Sequence, residues 1–185
     1  MTERALIIGT AGHIDHGKTT LIHSLTGVQL DQSPEERERG ITITLGFTEW
    51  QCTETERFFF VDVPGHERLI RTMISGATGL DAVIFCISAS DSVMPQTVEH
   101  LGILNLLGIE QGIIAITMCD LADEEDIELI LEEVEELVEG TFLEGAPIIQ
   151  TSAKIPFGQT ELTQALLALP NRSPKSSITL PFRLP

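Results

Sequence analysis

The octapeptide Gly12-His13-Ile14-Asp15-His16-Gly17-Lys18-Thr19 brackets four residues between two glycines and follows the second glycine with an amine and a hydroxyl. An apolar run precedes it and an amphipathic stretch follows, which places the pattern at a strand-to-helix junction. Glycine lets the backbone close around an anion, so that successive N–H groups and the next helix N-terminus can point at phosphate oxygens. Lys18 is then set to bridge the β- and γ-phosphates of a nucleoside triphosphate. Thr19 can offer its hydroxyl to Mg²⁺, a hard cation that takes oxygen ligands and phosphate. Thr20 extends this nucleotide-binding stretch, while His13 and His16 read as groups that pack against and support the loop backbone.

Asp62-Val63-Pro64-Gly65-His66 follows the phosphate loop by about 45 residues and comes directly after the apolar Phe58-Phe59-Phe60. A carboxylate at the carboxyl end of a strand can hold Mg²⁺ through water, and a glycine N–H can turn toward a γ-phosphate. By itself Asp-x-x-Gly is a common turn; behind a phosphate loop it is a switch candidate. His66 is placed to orient a water against the terminal phosphate. Two further tetrapeptides end later strands, Thr117-Met118-Cys119-Asp120 and Thr151-Ser152-Ala153-Lys154. Asp120 can accept two hydrogen bonds from guanine N1 and N2, and a backbone N–H near Ala153 can donate to O6. Adenine would leave that carboxylate unpaired, so the set points to GTP over ATP. Leu121, Ser152 and Lys154 complete the expected base site.

Short apolar runs alternating with longer amphipathic stretches predict the elements that hold these groups. Strands are expected at Ala5 to Gly9, Thr44 to Trp50, Phe58 to Asp62, Ala82 to Ile87, Gly112 to Thr117 and Pro147 to Thr151. Helices are expected near Lys18 to Leu25, Arg68 to Thr78, Gln96 to Leu107, Glu124 to Glu139 and Gln159 to Ala168. The first four or five strands read as mainly apolar, as in a sheet covered on both faces. The expected fold class is α/β, a three-layer α/β/α sandwich around a mostly parallel sheet of the P-loop GTPase kind.

The 185 residues fit one domain with a core of its own. Asp and Glu number 28 against 11 Lys and Arg, a formal charge of −17, which argues against nucleic-acid binding through bulk attraction. A hydrophobic fraction of 42% argues equally against a disordered chain. From Ala122 to Glu144 there are 11 acidic residues and no basic one. Ile127, Ile130, Leu131, Val134, Leu137 and Val138 recur there at helical spacing, so the acids read as the solvated face of a packed helix. The three cysteines are widely spaced and read as reduced thiols, with a cytoplasmic location expected. No apolar run is long enough for a membrane span. A GTP-binding domain is expected over 1–170, and a linker with the start of a following, truncated β-barrel domain over 171–185.

Taken together, these motifs resemble the translational GTPases related to elongation factor Tu. The resemblance rests on the phosphate loop, on Arg39-Gly40-Ile41-Thr42-Ile43 and on Asp62 to His66. More narrowly the chain is similar to the selenocysteine-specific elongation factors. That likeness is carried by Gly9-Thr10-Ala11-Gly12-His13, the stretch from Pro34 to Phe47, Val93-Met94-Pro95-Gln96-Thr97 and the terminal Pro181-Phe182-Arg183-Leu184-Pro185. The resemblance implies that Thr42 joins Thr19 and Asp62 at Mg²⁺ and senses the γ-phosphate. It implies that Asp15 places charge, and a monovalent cation, beside the β–γ bridge, and so acts in catalysis with His66 and Lys18. Ile14 and Ile41 would form an apolar gate for His66. Hydrolysis of GTP to GDP and phosphate would be stimulated by the ribosome. The implied partners of the whole protein are the ribosome, selenocysteinyl-tRNA and an RNA hairpin held by further C-terminal domains, with no membrane involved.

Two positions depart from the family pattern. Met118 stands where a lysine normally covers the purine and ties back to the phosphate loop. Its thioether can cover the ring but cannot replace the charged donor. Thr44 stands where an acidic residue is common. The departures leave open a guanine-nucleotide-binding paralogue with weakened or lost hydrolysis, and another translational GTPase handling ordinary aminoacyl-tRNA or initiation remains an alternative.

Overall fold

The computed structural model describes residues 4–30, 42, 44–65, 70–77 and 79–171. Among the described residues six strands form one sheet: β1 Arg4–Ala11, β2 Gly46–Gln51, β3 Glu56–Asp62, β4 Ala82–Ser88, β5 Gly112–Thr117 and β6 Ile148–Gln150. The helices are α1 Lys18–Thr26, α2 Ile70–Ala77, α3 Pro95–Leu106, α4 Glu124–Val138 and α5 Gln159–Ala168. A 3₁₀ turn over Cys119–Leu121, unforeseen from the sequence, interrupts the path from β5 to α4.

The spatial order is β2-β3-β1-β4-β5-β6, with β2 antiparallel to β3 and every other pairing parallel. Chain order therefore reverses at β1, whose carboxyl end opens between β3 and β4. Open parallel sheets bind ligands at such a crevice, and the phosphate loop leaves β1 there.

Alternating side chains of the central strands feed two cores. On one face Val83, Phe85 and Ile87 of β4 and Ile114 and Ile116 of β5 meet Met73, Leu101, Leu104, Ile130 and Val134 from α2, α3 and α4. On the other, Phe58 and Phe60 of β3 and Ile84 and Cys86 of β4 meet Leu21 and Ile22 of α1 and Leu162 and Leu166 of α5. This is the expected three-layer sandwich. The edge strand β2 differs from the apolar strands expected, because its residues alternate between exposed and half-buried. Trp50 turns inward and packs at 5.9 Å from Phe58 and 6.2 Å from Phe60, between ring centroids, while Phe47 faces out at 65% exposure. An antiparallel strand at a sheet edge is buried from one side only, and the alternation follows.

Arg4 closes the domain, reaching the carbonyls of Leu167 and Leu169 at the end of α5 and the Glu56 carboxylate at 2.9 Å. A guanidinium at a helix C-terminus satisfies carbonyls that have no partner within the helix. The acidic α4 buries Ile127, Ile130, Val134 and Val138 and leaves its glutamates outside. Three acids fill its first turn, where the helix dipole favours them, and no basic residue occupies its last. Repulsion along that face makes the N-cap matter: the Asp123 carboxylate accepts the Asp126 N–H at 2.9 Å. Replacing Asp123 with Ala is expected to lower stability by about 1 kcal/mol in urea unfolding, with an unchanged m-value.

Candidate functional site at the carboxyl ends of the strands

The phosphate loop turns through three left-handed residues, Gly12 at φ 133°, Asp15 at φ 61° and Gly17 at φ 69°. Gly12 has no substitute, because a Cβ there would stand 2.1 Å from the Cys86 carbonyl oxygen of β4. Lys18 opens α1, and its ammonium folds back beneath the loop, donating to the carbonyls of Gly12 at 3.1 Å and of His13. It is 6% exposed, and burial pulls its pKa below the ordinary lysine value, opposed by the carboxylates of Asp62 and Asp15. Gly65 lies against this assembly: a Cβ there would fall 2.5 Å from Lys18 Nζ and 2.8 Å from the Ile14 nitrogen.

Three oxygens from three segments meet beside Lys18. Thr19 Oγ1 donates to Asp62 Oδ2 at 2.5 Å and therefore receives the hydroxyl proton of Thr42 at 2.9 Å. Asp62 is fully buried, and its Oδ1 accepts from Thr10 Oγ1 at 2.7 Å. Thr10 in turn accepts the Val63 N–H at 3.2 Å, which fixes the carboxylate at the end of β3. Two hydroxyls and one carboxylate fit Mg²⁺, which takes few protein ligands and completes its shell with phosphates and water. Among the described residues no cluster of three His, Cys, Asp or Glu side chains could hold a metal ion by itself. Thr10 was legible as part of a motif but not as the support for Asp62, which is 52 residues away.

Of the expected base-site residues, Thr117, Met118, Asp120, Leu121, Ala153 and Lys154 line a cleft of 210 Å³ together with Gly17, Thr20, Leu21 and Thr151. Thr117 ties β5 to the loop through Oγ1, which donates to the His16 carbonyl at 3.0 Å. Ser152 donates to Asp120 Oδ1 at 2.6 Å and accepts the N–H groups of Lys154 and Ile155 at 3.2 and 3.1 Å. One hydroxyl thus locks the two tetrapeptides together and orients the carboxylate. Met118 takes a left-handed conformation, φ 58°, and its thioether accepts from Ser88 Oγ at 3.7 Å. Its Cε stands 3.5 Å from where a Gly17 Cβ would be, so the side chain lies across the loop toward the cleft.

The loop histidines sit differently from one another. His16 is buried, and its Nδ1 accepts the Ser88 N–H at 3.2 Å; the proton is then on Nε2, and the Cys86 carbonyl at 3.4 Å is a neighbour, not a partner. The ring of His13 stands 5.0 Å from it, centroid to centroid. Burial lowers the pKa of both, that of His16 to about 4. Ile14 is placed on the same loop, whereas Ile41 and His66, the expected gate partner and water-orienting group, lie outside the described residues. Two contacts from α3 carry no local sequence signal. His100 Nδ1 accepts the Gly12 N–H at 3.2 Å, and Gln96 Oε1 accepts the Ile14 N–H at 3.4 Å.

The family described as Elongation factor Tu GTP binding domain matches residues 3–171. The selenocysteine-specific elongation factor of Desulfomicrobium baculatum is 48% identical over 180 residues, covering 97% of this chain and 28% of that protein. Translation initiation factor 2 subunit gamma of Halobacterium salinarum is 39% identical, covering 91% of this chain and 48% of that protein. The crystal structure of a bacterial selenocysteine-specific elongation factor superposes with a TM-score of 0.83 at 36% identity, covering 90% of this chain and 28% of that one. The chain thus spans less than a third of the length of its selenocysteine-specific relatives. Among the described residues no helix is long and apolar enough to cross a membrane.

His100 carries a pH signature. Burial, with the Lys18 charge adding to it, lowers its pKa from 6.5 to about 4. The folded protein keeps the ring neutral while the unfolded chain takes up a proton below pH 6.5. Stability is therefore lost as pH falls from about 6.5 toward 4, by up to about 1.4 kcal/mol per pH unit. The ¹⁵N signals of the His100 ring are expected to remain those of a neutral imidazole at pH 5.5; a half-protonated ring at that pH would contradict the assignment.

Proposed function

The chain belongs to the elongation factor Tu GTP-binding domain family, and on that premise we propose that it is the domain through which a selenocysteine-specific elongation factor binds and hydrolyses GTP while delivering selenocysteinyl-tRNA to the ribosome. The convergence of Thr19, Thr42 and Asp62 beside the buried Lys18 supports the GTP-dependent chemistry. The assignment to selenocysteine rests on the 48% identity to the Desulfomicrobium factor across 97% of the chain.

In this reading the loop N–H groups and Lys18 bind the β- and γ-phosphates, with Thr20 beside them. Thr19 and Thr42 would hold Mg²⁺ directly and Asp62 through water, and the chemistry supplied there would be neutralisation of phosphate charge. The Gly65 N–H faces the γ-phosphate, His66 orients the attacking water, and Ile14 with Ile41 gates its approach. The water oxygen bonds to the γ-phosphorus as the bond to the β–γ bridging oxygen breaks, leaving GDP and phosphate. Lys18 stabilises the charge that develops on the bridging oxygen, and Asp15 is the residue that would hold a monovalent cation. Phosphoryl transfer needs little covalent help, so catalysis is positioning and electrostatics. The ribosome stimulates the step, an RNA hairpin is bound by domains C-terminal to this one, and the factor works in the cytoplasm. Residues 1–170 form the GTP-binding domain, and 171–185 lead into the next.

Guanine is read by Asp120, held by Ser152, and by the backbone near Ala153, with Leu121 and Lys154 bordering the ring. Met118 covers it without supplying the lysine ammonium. Met118→Lys is therefore expected to tighten GDP binding by roughly 1 to 3 kcal/mol, about 5- to 150-fold, in calorimetry; no gain would remove that explanation. His66→Ala should cut ribosome-stimulated turnover by about 10²- to 10⁴-fold with GDP affinity unchanged, and turnover that survives would take His66 out of its role. The proposal as a whole is tested with the full-length protein and GTP. Selective retention of selenocysteinyl-tRNA supports it, and preference for an ordinary elongator or initiator aminoacyl-tRNA overturns it in favour of another translational GTPase.

A further inference from the structure

The phosphate loop is held from a side that none of the assigned nucleotide-binding residues occupies. Gln96 and His100 are one turn apart on α3, so both side chains leave the same face of that helix. His100 Nδ1 takes the N–H of Gly12, where the loop begins, and Gln96 Oε1 takes the N–H of Ile14, two residues on. The start of α3 is itself fixed. Thr97, fully buried, accepts the Met94 N–H through its hydroxyl at 3.2 Å, and Pro95 occupies the first turn. His100 is 1% exposed, and its Nε2 meets no hydrogen-bond partner among the described residues. The imidazole thus spends its one buried hydrogen bond on the loop backbone.

These two amides matter because of what lies between and beyond them. The carbonyls of Gly12 and His13 receive Lys18 Nζ, so the same short segment is pulled from beneath by the ammonium and from α3 by its N–H groups. Asp15 and Gly17, which follow, are left-handed, and Gly17 caps α1, its carbonyl accepting the Leu21 N–H at 2.8 Å, so the loop is tied to the helix at that end as well. The path of the loop into its phosphate-facing turn is then set by where Gly12 and Ile14 are anchored. An apolar side chain at 96 or 100 would fill the space and leave a loop N–H without its acceptor.

We propose that Gln96 and His100 are positioning residues for nucleotide binding, acting through the backbone of Gly12 and Ile14 as an acceptor clamp on the phosphate loop. The proposal rests on the reading of this loop as the GTP site. The clamp requires an acceptor at each position and no particular charge.

Release of a fluorescent N-methylanthraniloyl-GDP tests it, with thermal midpoints measured alongside. His100→Asn keeps an acceptor near the Nδ1 position, whereas His100→Leu has a similar outline and none. Release from H100L is expected to accelerate about 5- to 150-fold and that from H100N to stay within about threefold of the parent. Gln96→Met, which keeps length and loses the acceptor, should follow H100L, and Gln96→Glu should follow the parent. Q96M keeps the test decisive where H100L fails to fold. If acceptor-bearing and acceptor-lacking variants release the nucleotide equally fast, or only in step with their thermal midpoints, the clamp is overturned. A parent protein that binds no GDP overturns the clamp together with the GTP reading, while a parent that binds and variants that do not differ overturns the clamp alone.

Discussion

A buried ammonium is the constraint around which this domain is arranged. Lys18 loses its hydration on entering the protein, and an unpaired charge in that position would cost several kcal/mol or shed its proton. Two loop carbonyls and the field of Asp62 offset the loss, and each demands something of the fold. The carbonyls of Gly12 and His13 meet the ammonium within a loop whose turn passes through left-handed Gly12 and Asp15. Thr10 and Thr19 donate to the two oxygens of Asp62 and help to hold it in place. The β1 carboxyl end must open between β3 and β4 to let the loop out, and that opening exists because the strand order reverses there. An anion with several oxygens completes the balance of charge, which is why this geometry selects phosphate.

The base site is a second, looser structure hung on the same loop. Thr117 ties β5 to the His16 carbonyl, and Ser152 ties the β6 end to Asp120, so both tetrapeptides are fixed relative to Gly17 through hydroxyl bonds. Methionine at 118 keeps the apolar cover and gives up an ionic tether. Under the proposed function, specificity rests on Asp120 and affinity on the loop, and the methionine is expected to bear on the second far more than on the first.

Much of this was legible in the sequence. Helix α5 falls on the residues its periodicity indicated, and the phosphate loop, Asp62 and Asp120 announce themselves by spacing because their neighbours along the chain are part of the chemistry. The antiparallel direction of β2 and its alternating exposure were not legible, since a short run with two aromatic residues reads alike in either orientation. Nor were the supporting contacts. Thr10 lies 52 residues from Asp62, and His100 lies 88 from Gly12, so no local pattern joins them. Sequence motifs display the groups that would touch a ligand; the side chains that hold those groups in place are chosen by the packing of distant helices.

Under the proposed function, the loop and its buried lysine supply most of the binding energy and Asp120 supplies the discrimination. Calorimetry comparing GDP, guanosine and ADP in the presence of Mg²⁺ tests both halves at once. GDP is expected to bind at least about 1,000-fold tighter than guanosine, roughly 4 kcal/mol, and ADP far more weakly than GDP. Guanosine binding within about tenfold of GDP, or ADP binding as well as GDP, would contradict it.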